Sequence, residues 1–380
     1  MSDVTVIPSP LHEEHLALGA SLTPFAGWDM PLRYTSDLAE HVAVRTAAGL
    51  FDLSHMGEIG VSGPQAARFL DTALVGNLGG LRLQGARYTM ICAADGGVLD
   101  DLIVYRLGET EYLVVANAAN HDTVLAALRE RAEGLDVQVD DASLRTALVA
   151  VQGPRALEIL AATPGLTGAD ELAAMTYYAC LPVTFEAAEV LAARTGYTGE
   201  DGFELFVDAG HAVSLWRALL AAGEPFGLVP AGLAARDSLR LEAGMPLYGH
   251  ELDMTTTPYE AGLGRVVRLD KVDEDGAPLD FVGRSALQAR SEAPATRTLV
   301  GLEGLSRRAG RPGHAVVMAD GTVVGEVTSG APSPTLGHPV AMAYVTPEVS
   351  EPGTELGVDV RGRVEPVRVV ALPFYRRPQG

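Results

Sequence analysis

From about residue 296 to residue 375 the chain is written in short Val-rich runs at nearly regular intervals, and no other feature limits its fold as much. The runs are Val316-Val317-Met318, Val323-Val324-Gly325, Ala341-Met342-Ala343-Tyr344-Val345, Val358-Asp359-Val360 and Val367-Arg368-Val369-Val370, with glycine and proline between them. β-Branched residues lose χ1 freedom in a helix but pack well on a pleated sheet, and Gly and Pro stop each run before a helix could propagate. Such a stretch is expected to form a small β-barrel or sandwich. Ahead of it, Asp270-Lys271-Val272-Asp273-Glu274-Asp275-Gly276 reads as a solvated acidic linker, which puts the domains at 1–275 and 283–375.

The longer N-terminal part mixes two periodicities. Arg87-Tyr88-Thr89-Met90-Ile91-Cys92, Leu102-Ile103-Val104-Tyr105 and Tyr112-Leu113-Val114-Val115, separated by Asp95-Gly96-Gly97 and Gly108-Glu109, read as a three-stranded meander. The segment from His121 to Gly134 reads as a covering helix. Further strands are expected at Leu148-Val149-Ala150-Val151 and Phe203-Glu204-Leu205-Phe206-Val207, with a helix after Pro154. Leu11, His15 and Leu18 have helical spacing and lead into an aromatic loop from Pro24 to Pro31. The class is α+β with antiparallel sheets.

Composition closes off several functions. Acidic residues number 49 and basic residues 28, a net charge of −21 that would repel polyphosphate, so nucleic-acid binding through a basic face is excluded. With 47% hydrophobic against 20% charged residues, the chain has enough apolar content to fold. Cys92 and Cys180 stand far apart without ligand-like spacing, so neither a disulfide framework nor a metal site is expected. No window approaches the roughly 18 apolar residues of a membrane span, and Met1-Ser2-Asp3-Val4-Thr5 carries no basic leader, so a cytoplasmic location is expected.

There is no GxGxxG after a strand, no GxxxxGK[ST], no GxSxG and no HExxH. His12-Glu13-Glu14-His15 places its histidines at i,i+3 without a third ligand and reads as a solvated helix face. Asp100-Asp101 opens a strand, so one carboxylate must turn to the less solvated side; the pair is either catalytic or a turn former. In Gly196-Tyr197-Thr198-Gly199-Glu200-Asp201-Gly202-Phe203-Glu204, three glycines permit positive φ and close backbone approach, and alternation sets Glu204 beside Phe206, opposite Phe203 and Leu205. Glu204 is then an edge-strand residue in solvent or a carboxylate receiving two donors from a flat heterocycle. Arg236 and Arg240, four apart on one helix closed by Gly244, repel unless Asp237 and Glu242 relieve them or an anion sits between.

Taken in order, Phe25-Ala26-Gly27-Trp28, Asp52-Leu53-Ser54-His55-Met56, Gly96-Gly97-Val98-Leu99-Asp100-Asp101, the Gly196–Gly202 block, Ala235-Arg236-Asp237-Ser238 through Gly244, Thr256-Thr257-Pro258, and Val327-Thr328-Ser329-Gly330 with Pro332-Ser333-Pro334 resemble the aminomethyltransferase (T-protein) family of the glycine cleavage system across nearly the whole chain. The resemblance implies a three-domain clover-leaf folate-binding fold with a C-terminal barrel. It also implies a tetrahydrofolate-dependent reaction on an aminomethyl group carried by the lipoyl arm of a partner, the H-protein, releasing ammonia and forming 5,10-methylenetetrahydrofolate. By position, Asp101 matches the family's catalytic carboxylate and Glu204 with Arg236 its pterin anchor, while Tyr88, Asn117 and Tyr197 match pocket-lining positions. Arg265 stands where many members carry tryptophan, and the tail, which runs through Tyr375-Arg376-Arg377-Pro378 to Gly380, is short. Folate-dependent demethylases, the folate modules of sarcosine or dimethylglycine oxidising enzymes, and a folate-binding iron–sulfur assembly factor share the fold; Asp101 together with Glu204 and Arg236 disfavours the assembly factor.

Overall fold

A computed structural model describes residues 6–273 and 275–378. The first five residues, read above as lacking a leader, and Glu274 of the acidic run lie outside the described residues. The chain forms two compact units: one takes residues up to Leu70, Leu78–Tyr88 and Leu102–Arg236, the other Asp71–Asn77, Thr89–Asp101 and the chain from Asp237 on.

In the first unit a six-stranded sheet runs in the order Cys180–Phe185, Ala188–Ala193, Gly202–Asp208, Thr146–Gln152, Ala48–Asp52, Leu228–Pro230. Neighbouring strands are antiparallel except the last pair, where Leu228–Pro230 runs parallel to Ala48–Asp52. One face carries the core: Val149, Val151, Phe203, Leu205 and Val207 pack with Leu215, Trp216 and Leu219. Ala212, Leu215, Trp216 and Leu219 fall at i, i+3, i+4 and i+7 of helix Ala212–Gly223, the stripe that a 3.6-residue period lays on one side. The predicted meander is strands Ala86–Cys92, Val98–Arg106 and Glu111–Ala116, extended by Gly57–Ser62 and Gln138–Asp141 into a five-stranded sheet. Its helix is His121–Arg131.

The aromatic loop is instead a hairpin, Ser21–Phe25 against Trp28–Arg33, with Phe25 opposite Trp28. Ala26 and Gly27 both take positive φ, 49° and 83°, the turn whose twist suits two-residue hairpins.

In the second unit the Val-rich runs close into a barrel, in the order Thr298–Gly304, Pro339–Val345, Val323–Pro332, Ala315–Val317, Glu355–Asp359, Val364–Val370. Val300, Leu302, Val316, Val327, Ala343, Val345, Val358 and Val369 fill it. Strand Pro339–Val345 is buried on both faces, because Val340 and Met342 pack outward against Leu241, Leu372 and Phe374.

The acidic run is not solvated throughout. Lys271, the chain's single lysine, is 3% exposed. Its ammonium donates to the carbonyls of Leu74 at 2.7 Å, Gly76 at 3.1 Å and Asp71 at 2.5 Å, and lies 3.9 Å from the Phe281 ring centroid. Three carbonyls at the end of helix Ala66–Ala73 match its three N–H donors.

Candidate functional site

The Gly196–Gly202 loop folds around one side chain. Gln152 Nε2 donates to the Thr195 carbonyl at 3.0 Å and its Oε1 accepts from Thr198 Oγ1 at 2.9 Å. A Cβ on Gly196 would lie 2.0 Å from Gln152 Oε1, and one on Gly202 2.5 Å from Nε2, so both positions need glycine for room; Gly199 needs it for φ +80°. Two arginines pin the loop: Arg45 donates to the Thr198 carbonyl at 2.7 Å and Glu200 at 3.1 Å, and Arg194 grips Asp201 in bidentate fashion at 3.0 and 2.5 Å.

That loop feeds Glu204 into a central strand, which removes the solvent-edge reading. Its cross-strand neighbours are Ala150 and Ala193, so the sheet leaves space at the carboxylate. Glu204 is 8% exposed. Thr195 Oγ1 and Tyr105 Oη, the latter at 3.3 Å, both donate to Oε2, and Oε1 has no partner among the described residues. Tyr105 also meets Thr195 Oγ1 at 2.9 Å and stands edge-on to Phe206 at 5.6 Å, so Glu204 and Phe206 do share a face. Burial, then the Glu204 charge, push the Tyr105 phenol far up, so it stays a neutral donor.

Arg236 stacks on Tyr197, its guanidinium carbon 4.8 Å from the ring centroid, and the guanidinium forms no hydrogen bond or ion pair among the described residues. Burial lowers its pKa while the charges of Glu204 and Tyr197 oppose the shift. The first unit therefore holds an open acceptor at Glu204 Oε1 and an open donor fork at Arg236. His55 belongs to the same neighbourhood, since the Arg236 charge bears on it. Tyr88 and Asn117, also in this unit, are half-buried, the first at the end of the segment Leu78–Tyr88 and the second before the short 3-10 turn Ala118–Asn120.

Asp101 belongs to the second unit. Strand alternation does separate the two aspartates, but the fully buried one is Asp100, at 0% exposure, and Asp101 is half-buried. The segment 248–256 holds the strand's start: Val98 N–H donates to the carbonyls of Asp253 at 3.2 Å and Thr256 at 3.1 Å, and its carbonyl accepts from Tyr248 Oη at 3.1 Å. A Cβ on Gly97 would lie 2.0 Å from the Met254 carbonyl oxygen. Burial and the charges of Asp100, Asp253 and Asp101 raise the Tyr248 phenol, which keeps it protonated beside them.

Arg240 is relieved by Asp237, as expected, and also by a partner that the sequence hid: Glu251, 3.0 Å from Nη1, with Ser329 Oγ 2.7 Å from Nη2. Glu242 instead accepts from Ser333 Oγ, Thr335 N–H at 3.1 Å and Thr335 Oγ1 at 2.7 Å. The motifs around Ser329 and Ser333 thus serve to seat the barrel against the helix end. Tyr375 N–H donates to the Glu242 carbonyl at 2.8 Å, which ties the segment after the barrel to the helix end, while Arg376 and Arg265 are exposed.

The His12–His15 stretch needs correction. His15 is fully buried, its Nε2 2.8 Å from Asp52 Oδ2 and its Nδ1 2.9 Å from Tyr34 Oη; Ser9 Oγ donates to the same Asp52 oxygen. A spacing test on the helix cannot see a carboxylate that arrives from strand Ala48–Asp52. No group of His, Cys, Asp or Glu able to hold a metal ion occurs among the described residues.

Two family models cover the chain: the GCVT N-terminal domain matches residues 11–271 and the glycine cleavage T-protein C-terminal barrel domain matches residues 297–376. The chain is 61% identical to an aminomethyltransferase of Streptomyces coelicolor, over 99% of this chain and 100% of that one. It is 60% identical to one of Saccharopolyspora erythraea, over 97% and 98%. Among solved structures, the glycine cleavage system aminomethyltransferase T of Bartonella henselae superposes with a TM-score of 0.89 at 37% identity, covering 98% of this chain and 99% of that one.

Proposed function

The chain belongs to the glycine cleavage T-protein family, and from that premise we propose that Glu204, Arg236 and Tyr197 anchor the pterin of tetrahydrofolate while Asp101 is the catalytic carboxylate. Its activity is that of an aminomethyltransferase of glycine cleavage. The observation that carries the site assignment is the complementary pair left open in the first unit: Glu204 Oε1 without a donor and Arg236 without an acceptor. The amino and ring N–H groups on one edge of a pterin suit the carboxylate, and its carbonyl suits the guanidinium. Tyr88 and Asn117 line the same site in this reading.

Tetrahydrofolate is the acceptor of the one-carbon unit, the aminomethylated lipoyl arm of H-protein its donor, and ammonia the leaving product. Folate nitrogen is already nucleophilic, so the protein's share is to hold the two reactants together, exclude water and stabilise developing positive charge. Asp101 supplies the charge. The domain division at 1–275 and 283–375 and a cytoplasmic location belong to the same proposal; no helix among the described residues is long and apolar enough to cross a membrane.

Asp101→Asn tests the assignment, because the amide keeps the shape and discards the charge. Turnover of aminomethylated H-protein is expected to fall roughly 100- to 1,000-fold with tetrahydrofolate affinity little changed. Near-wild-type turnover would remove Asp101 from the chemistry.

A further inference from the structure

His55 follows strand Ala48–Asp52 on a turn closed by Met56 N–H donating to the Leu53 carbonyl at 2.9 Å. The turn is stiffened at its root, where Asp52 Oδ1 accepts from Ser54 N–H at 2.9 Å while Oδ2 is held by His15 and Ser9. The imidazole is therefore placed by the buried network beneath it and not by bonds of its own. Neither ring nitrogen has a hydrogen-bond partner among the described residues, and Nδ1 is sealed from solvent. The residue is 4% exposed, and its ring meets Phe25 edge-to-face at 5.4 Å and 86°.

A buried imidazole with two idle nitrogens calls for an explanation, since unpaired buried polar groups are rare. Burial, then the Arg236 charge, hold its pKa down at about 4 against the opposing pull of Asp52, so the ring is neutral. A neutral imidazole has one N–H and one lone pair. An orphaned buried N–H is the rarer and costlier defect, which assigns the lone pair to sealed Nδ1 and the proton to Nε2.

We propose that His55 is a further ligand-contacting residue of the site formed by Glu204 and Arg236, its Nε2–H donating to an acceptor atom of a flat, carbonyl-bearing heterocycle. The inference rests on the folate reading of Glu204 and Arg236 and extends it. Glu204 supplies an acceptor and Arg236 a charged donor fork; His55 adds a donor without a second positive charge beside the arginine. An imidazolium in its place would be repelled by Arg236, and a hydroxyl or amide on this short turn would lack the rigid ring that Phe25 braces.

Nitrogen NMR of the histidine side chains, with His55→Gln to assign the signal, reads the contact in the wild-type protein. Adding tetrahydrofolate is expected to shift His55 Nε2 and its proton, with Nδ1 still unprotonated. An unchanged His55 signal at saturation overturns the proposal. In parallel, His55→Leu is expected to weaken tetrahydrofolate binding roughly 2- to 10-fold, with His55→Gln recovering part of the loss by its amide N–H. Wild-type affinity in His55→Leu also overturns it. Should His55→Leu fail to fold, the wild-type spectrum decides. Glu204→Gln separates the two levels: if it too binds normally, the folate reading fails, whereas weakened binding there with none in His55→Leu removes His55 alone.

Discussion

Replacing Glu204 with glutamine separates ligand recognition from folding. Both protein donors, Thr195 Oγ1 and Tyr105 Oη, go to Oε2, so a glutamine carbonyl placed there keeps them. The amide nitrogen then takes the position of Oε1. Side-chain volume barely changes and the flanking residues, Ala150 and Ala193, accommodate either group, so the fold loses only the difference between a charged and a neutral acceptor, about 1 kcal/mol. On the ligand side an acceptor becomes a donor. A pterin N–H would face an amide N–H, and the carboxylate charge that Arg236 senses is gone. Tetrahydrofolate binding should weaken by about 1–3 kcal/mol, roughly 5- to 150-fold. Anaerobic calorimetric titration reads the affinity, and a thermal melt without ligand reads the fold; the melt should move by no more than a few degrees. Unchanged affinity refutes Glu204 as the pterin acceptor. A collapse of the unliganded fold refutes the claim that glutamine satisfies Thr195 and Tyr105.

The remaining predictions concern pH and the second unit. His55 titrates at about 4 in the folded chain and near 6.5 unfolded, so between those values the unfolded state binds more protons; its contribution, about 3 kcal/mol, is complete above pH 6.5 and is lost as pH falls toward 4. Denaturant unfolding from pH 7 to pH 4 should show a shallower decline in His55→Gln, and equal declines would disprove it. Lys271→Met leaves the carbonyls of Asp71, Leu74 and Gly76 buried without a donor and should destabilise the protein by about 2–4 kcal/mol; an unmoved urea midpoint would count against the capping role. Glu242→Ala removes the acceptor for Ser333 and Thr335 and should cost about 2–3 kcal/mol, seen as faster amide exchange in the barrel strand Pro339–Val345; unchanged exchange would show that the contact does not hold the strand.

Much of this molecule is legible along the chain. The Val-rich runs, the meander from Ala86 to Ala116, the facing of Glu204 with Phe206, and the glycine stop after helix Leu233–Glu242, where Gly244 takes φ +64°, all follow from backbone sterics and side-chain alternation over a few residues. Those rules act locally, so a sequence carries them openly. What tertiary structure decided is who meets whom across long separations. Asp52 reaches His15 from 37 residues away and turns a seemingly solvated helix face into a buried pair. Tyr105 reaches Glu204 from 99 residues away and settles which carboxylate oxygen stays open. Alternation could say that Asp100 and Asp101 face apart but not which of the two is buried, because that depends on segment 248–256 docking on Val98. Periodicity sets the direction in which a side chain points; the dielectric and the partners it finds there depend on what packs against that face, and no short-range pattern encodes them.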